Sequence, residues 1–163
     1  MIPETHIREA NSTDMSLVSG LIRKSFRDVA RRFGLTLENC PKHPSNCTDE
    51  WIENDFDRGV TYYIFESNRT AVGCVALEKA NSDLCYLERL GVLPEARRNG
   101  FGKALVDYVI CQAHLHGAKQ ISIGIIANDT ELKRWYQGIG FAEGETKEFE
   151  HLPFLVTFMT YDV

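Results

Sequence analysis

Residues 92–105 read VLPEARRNGFGKAL and join two different hydrophobic patterns. The run before them, residues 84–92, is apolar and typical of a strand, whereas apolar residues after position 100 recur at helical spacing. The helical face contains Phe101, Leu105, Val109 and Ala113. A strand, a glycine-bearing loop and a helix in this order direct several backbone N–H groups toward the positive end of the helix dipole. We therefore expect an anion-binding site at this loop.

The side chains of the loop favour a phosphate as the anion. Gly100 and Gly102 let the backbone approach a ligand closely, because neither residue carries a Cβ atom. Arg97, Arg98 and Lys103 add positive charge. A guanidinium can also bind a phosphate through two parallel hydrogen bonds. The sequence therefore predicts a ligand that carries phosphate groups.

Two common phosphate-binding loops do not fit this stretch. A Walker loop requires glycine at position 97 and Ser or Thr at position 104, where this chain has Arg97 and Ala104. A Rossmann fingerprint that starts at Gly100 requires its third glycine at position 105, which is Leu105. Neither nucleotide-binding motif is therefore predicted.

The loop instead contains Arg97-x-x-Gly100-x-Gly102, with Pro94 three residues ahead of the arginine. This run resembles the acetyl-CoA signature of the GCN5-related N-acetyltransferases, (Q/R)-x-x-G-x-(G/A), at the start of that family's long central helix. Residues 132–141, LKRWYQGIGF, are similar to the family's other signature, which places a tyrosine ahead of apolar-Gly-Phe. One predicted helix and one predicted strand separate the two signatures, as the family has them.

The order of predicted elements, β-α-α-β-β-β-α-β-α-β-β, resembles the acetyltransferase fold along the whole chain. The resemblance implies an α/β (α+β) fold with a mixed, mostly antiparallel seven-stranded sheet and helices on both faces. No internal repeat, low-complexity segment or linker interrupts the pattern, so one N-acetyltransferase domain is expected over residues 1–163. The predicted strands cover about residues 5–10, 60–66, 70–78, 84–92, 120–127, 143–149 and 155–161.

The resemblance implies acetyl-CoA, hence coenzyme A, as the co-substrate, and no metal. In the family, a backbone N–H at a bulge in the strand before the loop holds the thioester oxygen. That bulge is expected near Gly91, because glycine tolerates bulge geometry. The residues assigned to the cofactor are Leu90, Gly91, Val92, Arg97, Arg98, Asn99, Gly100, Phe101, Gly102, Lys103 and Asn128.

Acyl transfer from a thioester to an amine needs a proton for the departing thiolate. By resemblance, Tyr136 supplies that proton. The alternative is that Trp135 and Tyr136 are two core aromatic residues of a short helix. The substitution Tyr136→Phe separates the two interpretations, because it keeps the packing and removes only the hydroxyl.

Glu88 is the candidate for the base that takes the amine's proton. It lies two residues before Leu90 and shares its face of the strand if alternation holds. An ion pair with the adjacent Arg89, or a solvated position, explains Glu88 equally well. Tyr86 is a weaker candidate on the same face.

Relatives often carry an asparagine seven residues before the catalytic tyrosine, where it contacts the pantetheine arm. This chain has Asp129 at that position, directly after Asn128. Asn128 and Glu131 have the spacing of a helix capping pair, which is the favoured interpretation. Asn128 is kept beside it as a candidate cofactor contact.

The stretch Cys40-x2-His43-x3-Cys47 gathers three potential metal ligands. It lacks a fourth ligand, and its spacing is not that of a standard zinc knuckle. A proline-braced loop beside the acceptor pocket is the favoured interpretation. By resemblance, His43 in this loop is a candidate contact for the acceptor. His151, in the loop that joins the last two predicted strands, is another candidate, and a proline-braced turn explains it equally well.

The charge composition and the distribution of apolar residues exclude some classes of partner and predict a cellular location. Eighteen Lys and Arg against 23 Asp and Glu give a net charge of −5, which argues against general nucleic-acid binding. No run reaches the roughly 18 apolar residues of a membrane span. The first residues lack the layout of a signal peptide, so we expect a cytoplasmic protein with its five cysteines reduced.

The expected acceptor is a primary amine, on a small molecule or on a protein. Two alternatives remain open: a non-catalytic acyl-CoA-binding sensor or regulatory module of the same fold, and an enzyme that transfers a longer acyl group. The resemblance also makes a homodimer possible, since dimers are common in the family.

Overall fold

The computed structural model describes residues 2–163, and it confirms the predicted order of elements. No helix within this range is long and apolar enough to cross a membrane. The strands are β1 (Thr5–Glu9), β2 (Thr61–Ser67), β3 (Thr70–Lys79), β4 (Leu84–Val92), β5 (Gln120–Ile126), β6 (Ala142–Lys147) and β7 (Val156–Asp162). The helices are α1 (Met15–Arg32), α2 (Asp49–Asp57), α3 (Phe101–Leu115) and α4 (Thr130–Ile139).

The strands form one seven-stranded sheet in the order β1-β2-β3-β4-β5-β7-β6. Neighbouring strands run antiparallel except β4 and β5, which run parallel. The predicted mixed, mostly antiparallel sheet is thus confirmed. The parallel pair is joined through α3, because a parallel connection needs a crossover of a dozen or more residues.

The two parallel strands stay paired only at their beginnings. Leu84 to Tyr86 pair with Gln120 to Ser122, and no further pairs follow in the described chain. Both strands nevertheless continue, β4 to Val92 and β5 to Ile126. The second halves of β4 and β5 therefore border an opening in the sheet, where backbone groups are free to bind a ligand.

Hydrophobic cores lie on both faces of the sheet. On one face, fully buried Leu105, Val106 and Val109 of α3 pack against apolar residues of β2 to β5. On the other face, Val18 and Ile22 of α1 pack with α2 and the opposite side of β2 and β3. The predicted placement of helices on both faces is confirmed.

Candidate active site

Strand β4 contains a bulge at the edge of the opening. Cys74 of β3 pairs with Gly91, whereas Ala76 pairs with Glu88, so one residue of β3 faces two residues of β4. The two residues are Arg89 and Leu90, and Arg89 has a left-handed φ of 50°. The resemblance placed a bulge near Gly91, and the structure places the extra residue just before it.

The bulge side chain is fixed by a buried network. Arg89 donates hydrogen bonds to the Asp55 carboxylate and to the Tyr62 hydroxyl, 2.7 Å away. Tyr62 in turn donates to Asp55 at 2.7 Å, and Arg58 donates to the other Asp55 oxygen at 2.7 Å. A non-glycine residue with positive φ persists where its surroundings hold it in place. The network from α2 and β2 supplies that restraint.

Backbone direction assigns the amides that border the opening. The Leu93 N–H donates to the Val72 carbonyl on the β3 side, at 2.8 Å. Neighbouring residues of a strand direct their N–H groups to opposite edges, so the Val92 and Leu90 amides face the opening. The Gly91 amide faces β3 by the same alternation.

Glu88 does not share a face with Leu90, because the bulge breaks the alternation on which that prediction depended. Leu90 packs toward the core under α3. Glu88 is half-buried near Glu78 on the α2 side. Burial, together with the charge of Glu78, raises the pKa of Glu88 to about 7. A carboxyl group with this pKa can accept a proton near neutral pH.

The loop before α3 offers a row of unpaired backbone N–H groups. Within residues 2–163, the N–H groups of residues 98–103 have no protein acceptor, and the first backbone bond runs from Ala104 to the Gly100 carbonyl at 3.1 Å. Arg98 and Gly100 adopt left-handed φ angles of 65° and 79°. Successive amides in such turns form a concave anion site, to which the α3 dipole adds.

The side chain of Arg97 is engaged with neighbouring elements. Its Nε donates to the Val92 carbonyl at 3.0 Å, and its Nη2 donates to the Ser25 carbonyl at 2.7 Å. Both terminal nitrogens also bind the Asp28 carboxylate. The Arg97 guanidinium therefore joins β4 to α1. A direct phosphate contact by this side chain would require breaking those bonds.

The other polar side chains of the loop differ in whether they already form hydrogen bonds or ion pairs within the protein. Asn99 shapes the loop by donating to the carbonyls of Ala96 and Arg97, at 3.0 and 3.2 Å. Lys103 pairs with Asp107 one turn along α3, at 2.8 Å. Arg98 is exposed and has no ion pair within the part of the chain that the structure describes. Arg98 is thus the side chain best placed to add charge to the amides.

A cavity of about 590 Å³ extends from the bulge to this loop. It brings together most of the predicted cofactor residues, but neither Tyr136 nor Glu88 nor Asn128 lines it. Helix α1 forms a wall of this cavity that was not predicted from the sequence. The lining residues from α1 are Ser25, Phe26, Asp28, Val29 and Arg32, and those near α4 are Asp129, Glu131, Leu132 and Trp135.

Trp135 packs beside the second glycine of the signature. A Cβ atom at Gly102 would lie 3.4 Å from Cζ2 of Trp135. The indole therefore packs over the first turn of α3. A Cβ atom at position 102 would meet it at an ordinary van der Waals distance, so an alanine would also fit here.

Tyr136 lies behind Trp135, with 5% of its surface exposed. Its ring centroid is 4.9 Å from that of Trp135 and 5.2 Å from that of Phe141. Burial raises the pKa of the Tyr136 hydroxyl, so the side chain is protonated at neutral pH. The protonation state suits a proton donor, and the packing is that of a core aromatic residue.

The predicted capping role of Asn128 was wrong, because Asp129 caps α4. The Asp129 carboxylate accepts a hydrogen bond from the Leu132 N–H at 3.2 Å, whereas Asn128 is exposed. Asp129 also pairs with Arg32 at 2.9 Å. The pair joins the end of α1 to the start of α4 across one side of the cavity. A carboxylate at the first turn of a helix also interacts favourably with its dipole.

The loop between α1 and α2 is held by packing and hydrogen bonds. His43 is buried, its Nδ1 lies 2.7 Å from the Ser45 hydroxyl, and burial lowers its pKa. Cys40 and Cys47 are buried free thiols. In residues 2–163 no three His, Cys, Asp or Glu side chains are grouped so that they could hold a metal ion.

Comparison with known proteins agrees with this fold. Residues 25–141 match the acetyltransferase (GNAT) family, and the chain belongs to that family. It is 27% identical over 123 residues to the uncharacterized N-acetyltransferase YjgM of Escherichia coli K12, with 74% of each chain covered. It is 23% identical over 117 residues to the chloroplastic GCN5-related N-acetyltransferase 6 of Arabidopsis thaliana. That match covers 68% of this chain and only 41% of the plant protein.

Solved structures share the fold at low identity. The PaiA N-acetyltransferase of Thermoplasma acidophilum, in complex with coenzyme A, superposes with a TM-score of 0.81 at 16% identity, covering 98% of this chain and 99% of that one. A GNAT family acetyltransferase of Elizabethkingia anophelis with acetyl-CoA bound gives a TM-score of 0.70 at 16% identity, covering 98% of each chain. At these identities the similarity establishes the fold alone.

Proposed function

We propose that this protein transfers an acetyl group from acetyl-CoA to a primary amine. The observation that carries the proposal is the row of unpaired N–H groups of residues 98–103, at the start of α3 and beside the cavity. The diphosphate of coenzyme A matches such a site in charge and in the number of acceptor oxygens. Family membership, and the coenzyme A ligands of two similar structures, support the same ligand.

The reaction we propose is direct attack of a neutral amine on the thioester. A C–N bond forms as the carbonyl oxygen gains negative charge, and the C–S bond then breaks to release the thiolate. The amides of Leu90 and Val92 face the opening and can stabilise the oxyanion. Glu88 takes the proton that the amine loses, directly or through water, and Tyr136 gives a proton to the thiolate. The products are an N-acetyl amine and coenzyme A.

Direct acid catalysis by Tyr136 requires the sulfur to reach a side chain packed behind Trp135. The burial of Tyr136 is thus the observation that favours the alternative, a non-catalytic acyl-CoA-binding sensor or regulatory module. Such a module binds acyl-CoA and transfers nothing.

A panel of amines with acetyl-CoA, followed by free-thiol release, tests the proposal. The panel includes small amines, polyamines, amino acids and peptides with free N-termini or lysines. We expect at least one acceptor to be acetylated and Tyr136→Phe to lower kcat by about 10²-fold or more. Coenzyme A binding without transfer to any amine supports the sensor instead. Competition among CoA esters of increasing chain length identifies the preferred acyl group.

A further inference from the structure

The hydroxyl of Ser25 is a buried polar group without a partner. Ser25 lies in the middle of α1 and is 4% exposed. Among the buried side-chain nitrogen and oxygen atoms of residues 2–163, its Oγ is the one that makes no hydrogen bond. A helical serine can bond to a carbonyl one turn back, as Ser19 does with Ser16 at 3.2 Å. Ser25 makes no such bond, so its hydroxyl is a buried polar group whose hydrogen-bonding capacity is unused, and such a group needs an explanation.

The hydroxyl is placed against the bulged end of β4. A Cβ atom added to Gly91 would lie 2.7 Å from Cβ and 3.0 Å from Oγ of Ser25. Only glycine at position 91 lets the serine come this close. Ser25 also lines the cavity, beside Leu90 and Val92, whose amides face the opening in the sheet.

The loop before α3 holds this part of α1 in place. Arg97 donates to the Ser25 carbonyl at 2.7 Å, and its Nε donates to the Val92 carbonyl at 3.0 Å. The Arg97 side chain thus holds α1, which carries Ser25, against the end of β4. A hydrogen-bond donor held in place before the ligand arrives stabilises developing charge most effectively.

We propose that the Ser25 hydroxyl donates a hydrogen bond to the carbonyl oxygen of the bound acyl thioester. It acts there as a second donor beside a β4 amide. The inference depends on the proposed function, because it needs an acyl-CoA in the cavity. The bond strengthens as the carbonyl oxygen becomes an oxyanion during attack by the amine, and Ser25 keeps its own proton throughout. Ser25 is then a catalytic residue supplied by α1, outside both sequence signatures.

The experiment compares the wild type with Ser25→Ala in three measurements. The first is the infrared band of acetyl-CoA labelled with ¹³C at the carbonyl carbon and bound to the protein. The second is the affinity for acetyl-CoA and for coenzyme A by calorimetry. The third is kcat with an acceptor amine from the panel. Ser19→Ala is the matched control, because Ser19 is fully buried on the same helix and its hydroxyl bonds to Asp49, away from the cavity.

We expect Ser25→Ala to move the carbonyl band to higher wavenumber and to lower kcat by about 10²-fold, as loss of one oxyanion donor does. Affinity for coenzyme A, which lacks the carbonyl, should change less than about twofold, and affinity for acetyl-CoA should fall several-fold. Ser25→Ala should melt at or above the wild-type temperature, since it removes an unpaired polar group. Ser19→Ala should leave the band and kcat unchanged.

Other results overturn the inference in distinguishable ways. If the wild type binds and transfers acetyl groups and Ser25→Ala leaves both the band and kcat unchanged, only the role of Ser25 fails. Equal losses of affinity for coenzyme A and acetyl-CoA would assign the hydroxyl to the pantetheine arm instead. A lower melting temperature for Ser25→Ala would show that the hydroxyl already has a partner in the free protein. A wild type that binds neither ligand removes the proposed function as well.

Discussion

Arg97 binds Asp28 through both terminal nitrogens of its guanidinium, at 2.7 and 3.2 Å. Hydrogen bonding to Arg97 lowers the pKa of the Asp28 carboxyl. The same guanidinium reaches the carbonyls of Ser25 and Val92. The arginine of the loop signature thus positions the α1 wall of the cavity, and the unpaired amides after it remain available to an anion.

We expect Arg97→Ala to lower the free energy of unfolding by about 1–3 kcal/mol at pH 7, because charge-assisted bonds to α1 and β4 are lost. The expected loss of stability is no larger because the Arg97–Asp28 pair is only partly buried. Urea denaturation measures the change. Lys103→Ala is the control, because its exposed pair with Asp107 on α3 contributes about 0.5 kcal/mol or less. Equal effects of the two substitutions would contradict the bridging role of Arg97.

Arg98→Ala should weaken coenzyme A binding by about tenfold, since it removes a charge-assisted contact worth roughly 1.5 kcal/mol. The dependence of affinity on salt should also become less steep, because one charge fewer is screened. Arg69→Ala is the matched control: Arg69 is an exposed arginine with φ of 67°, against 65° for Arg98, in the turn between β2 and β3. If both substitutions weaken binding alike, a general charge effect replaces the local contact. Calorimetry at two salt concentrations separates these results.

Gly91→Ala should destabilise the fold by about 1–3 kcal/mol, because the new Cβ atom lies 2.7 Å from Cβ of Ser25 and 3.3 Å from the Phe26 ring. Helix α1 must move to relieve this contact. Gly138→Ala is the opposite case, since its new Cβ atom meets nothing within 4 Å inside α4. That change should stabilise by about 0.5–1 kcal/mol through the higher helix propensity of alanine. Thermal unfolding of the two variants measures both signs.

The sequence was sufficient to predict the element order and the glycine-bearing loop between β4 and α3, because both depend on local patterns. That loop borders the cavity, and Gly100 and Gly102 mark its position in the sequence. The wall formed by Ser25 and Asp28 was not predicted, because it depends on contacts about 70 residues apart. A serine among the apolar positions of α1 was the available signal, and only the structure places it against Gly91.

The prediction for Glu88 depended on an assumption that the fold does not meet. Regular alternation would have placed Glu88 and Leu90 on one face, but the extra residue near Arg89 turns them to opposite faces. A bulge cannot be predicted from side-chain types alone, since Arg89 is not a glycine and its positive φ is maintained by Asp55 and Tyr62.

The predicted cap of α4 was wrong by one residue, because it also depends on a contact that is distant in sequence. Asparagine and aspartate are both good N-cap residues, so the types of Asn128 and Asp129 do not decide between them. In the structure Asp129 is the cap, and it also forms an ion pair with Arg32.

The raised pKa of Glu88 gives a prediction for the pH dependence of the reaction. A base acts in its ionised form, so kcat/KM should rise with pH through about 7 and level off above it. Glu88→Gln should remove this limb and lower the plateau by about 10²-fold. Glu78→Gln should move the limb to lower pH, because the charge of Glu78 is one cause of the raised pKa. A limb that stays near pH 7 in Glu88→Gln would belong to another group. The assay uses an acceptor amine whose own pKa is far from 7, so that its titration is separate from that of Glu88.

The dependence of stability on pH is an independent check on the raised pKa of Glu88. A carboxyl group whose pKa is raised on folding contributes most below its unfolded pKa, and that contribution is lost as pH rises through about 7. Glu88→Gln should therefore gain stability relative to the wild type between pH 4 and pH 8.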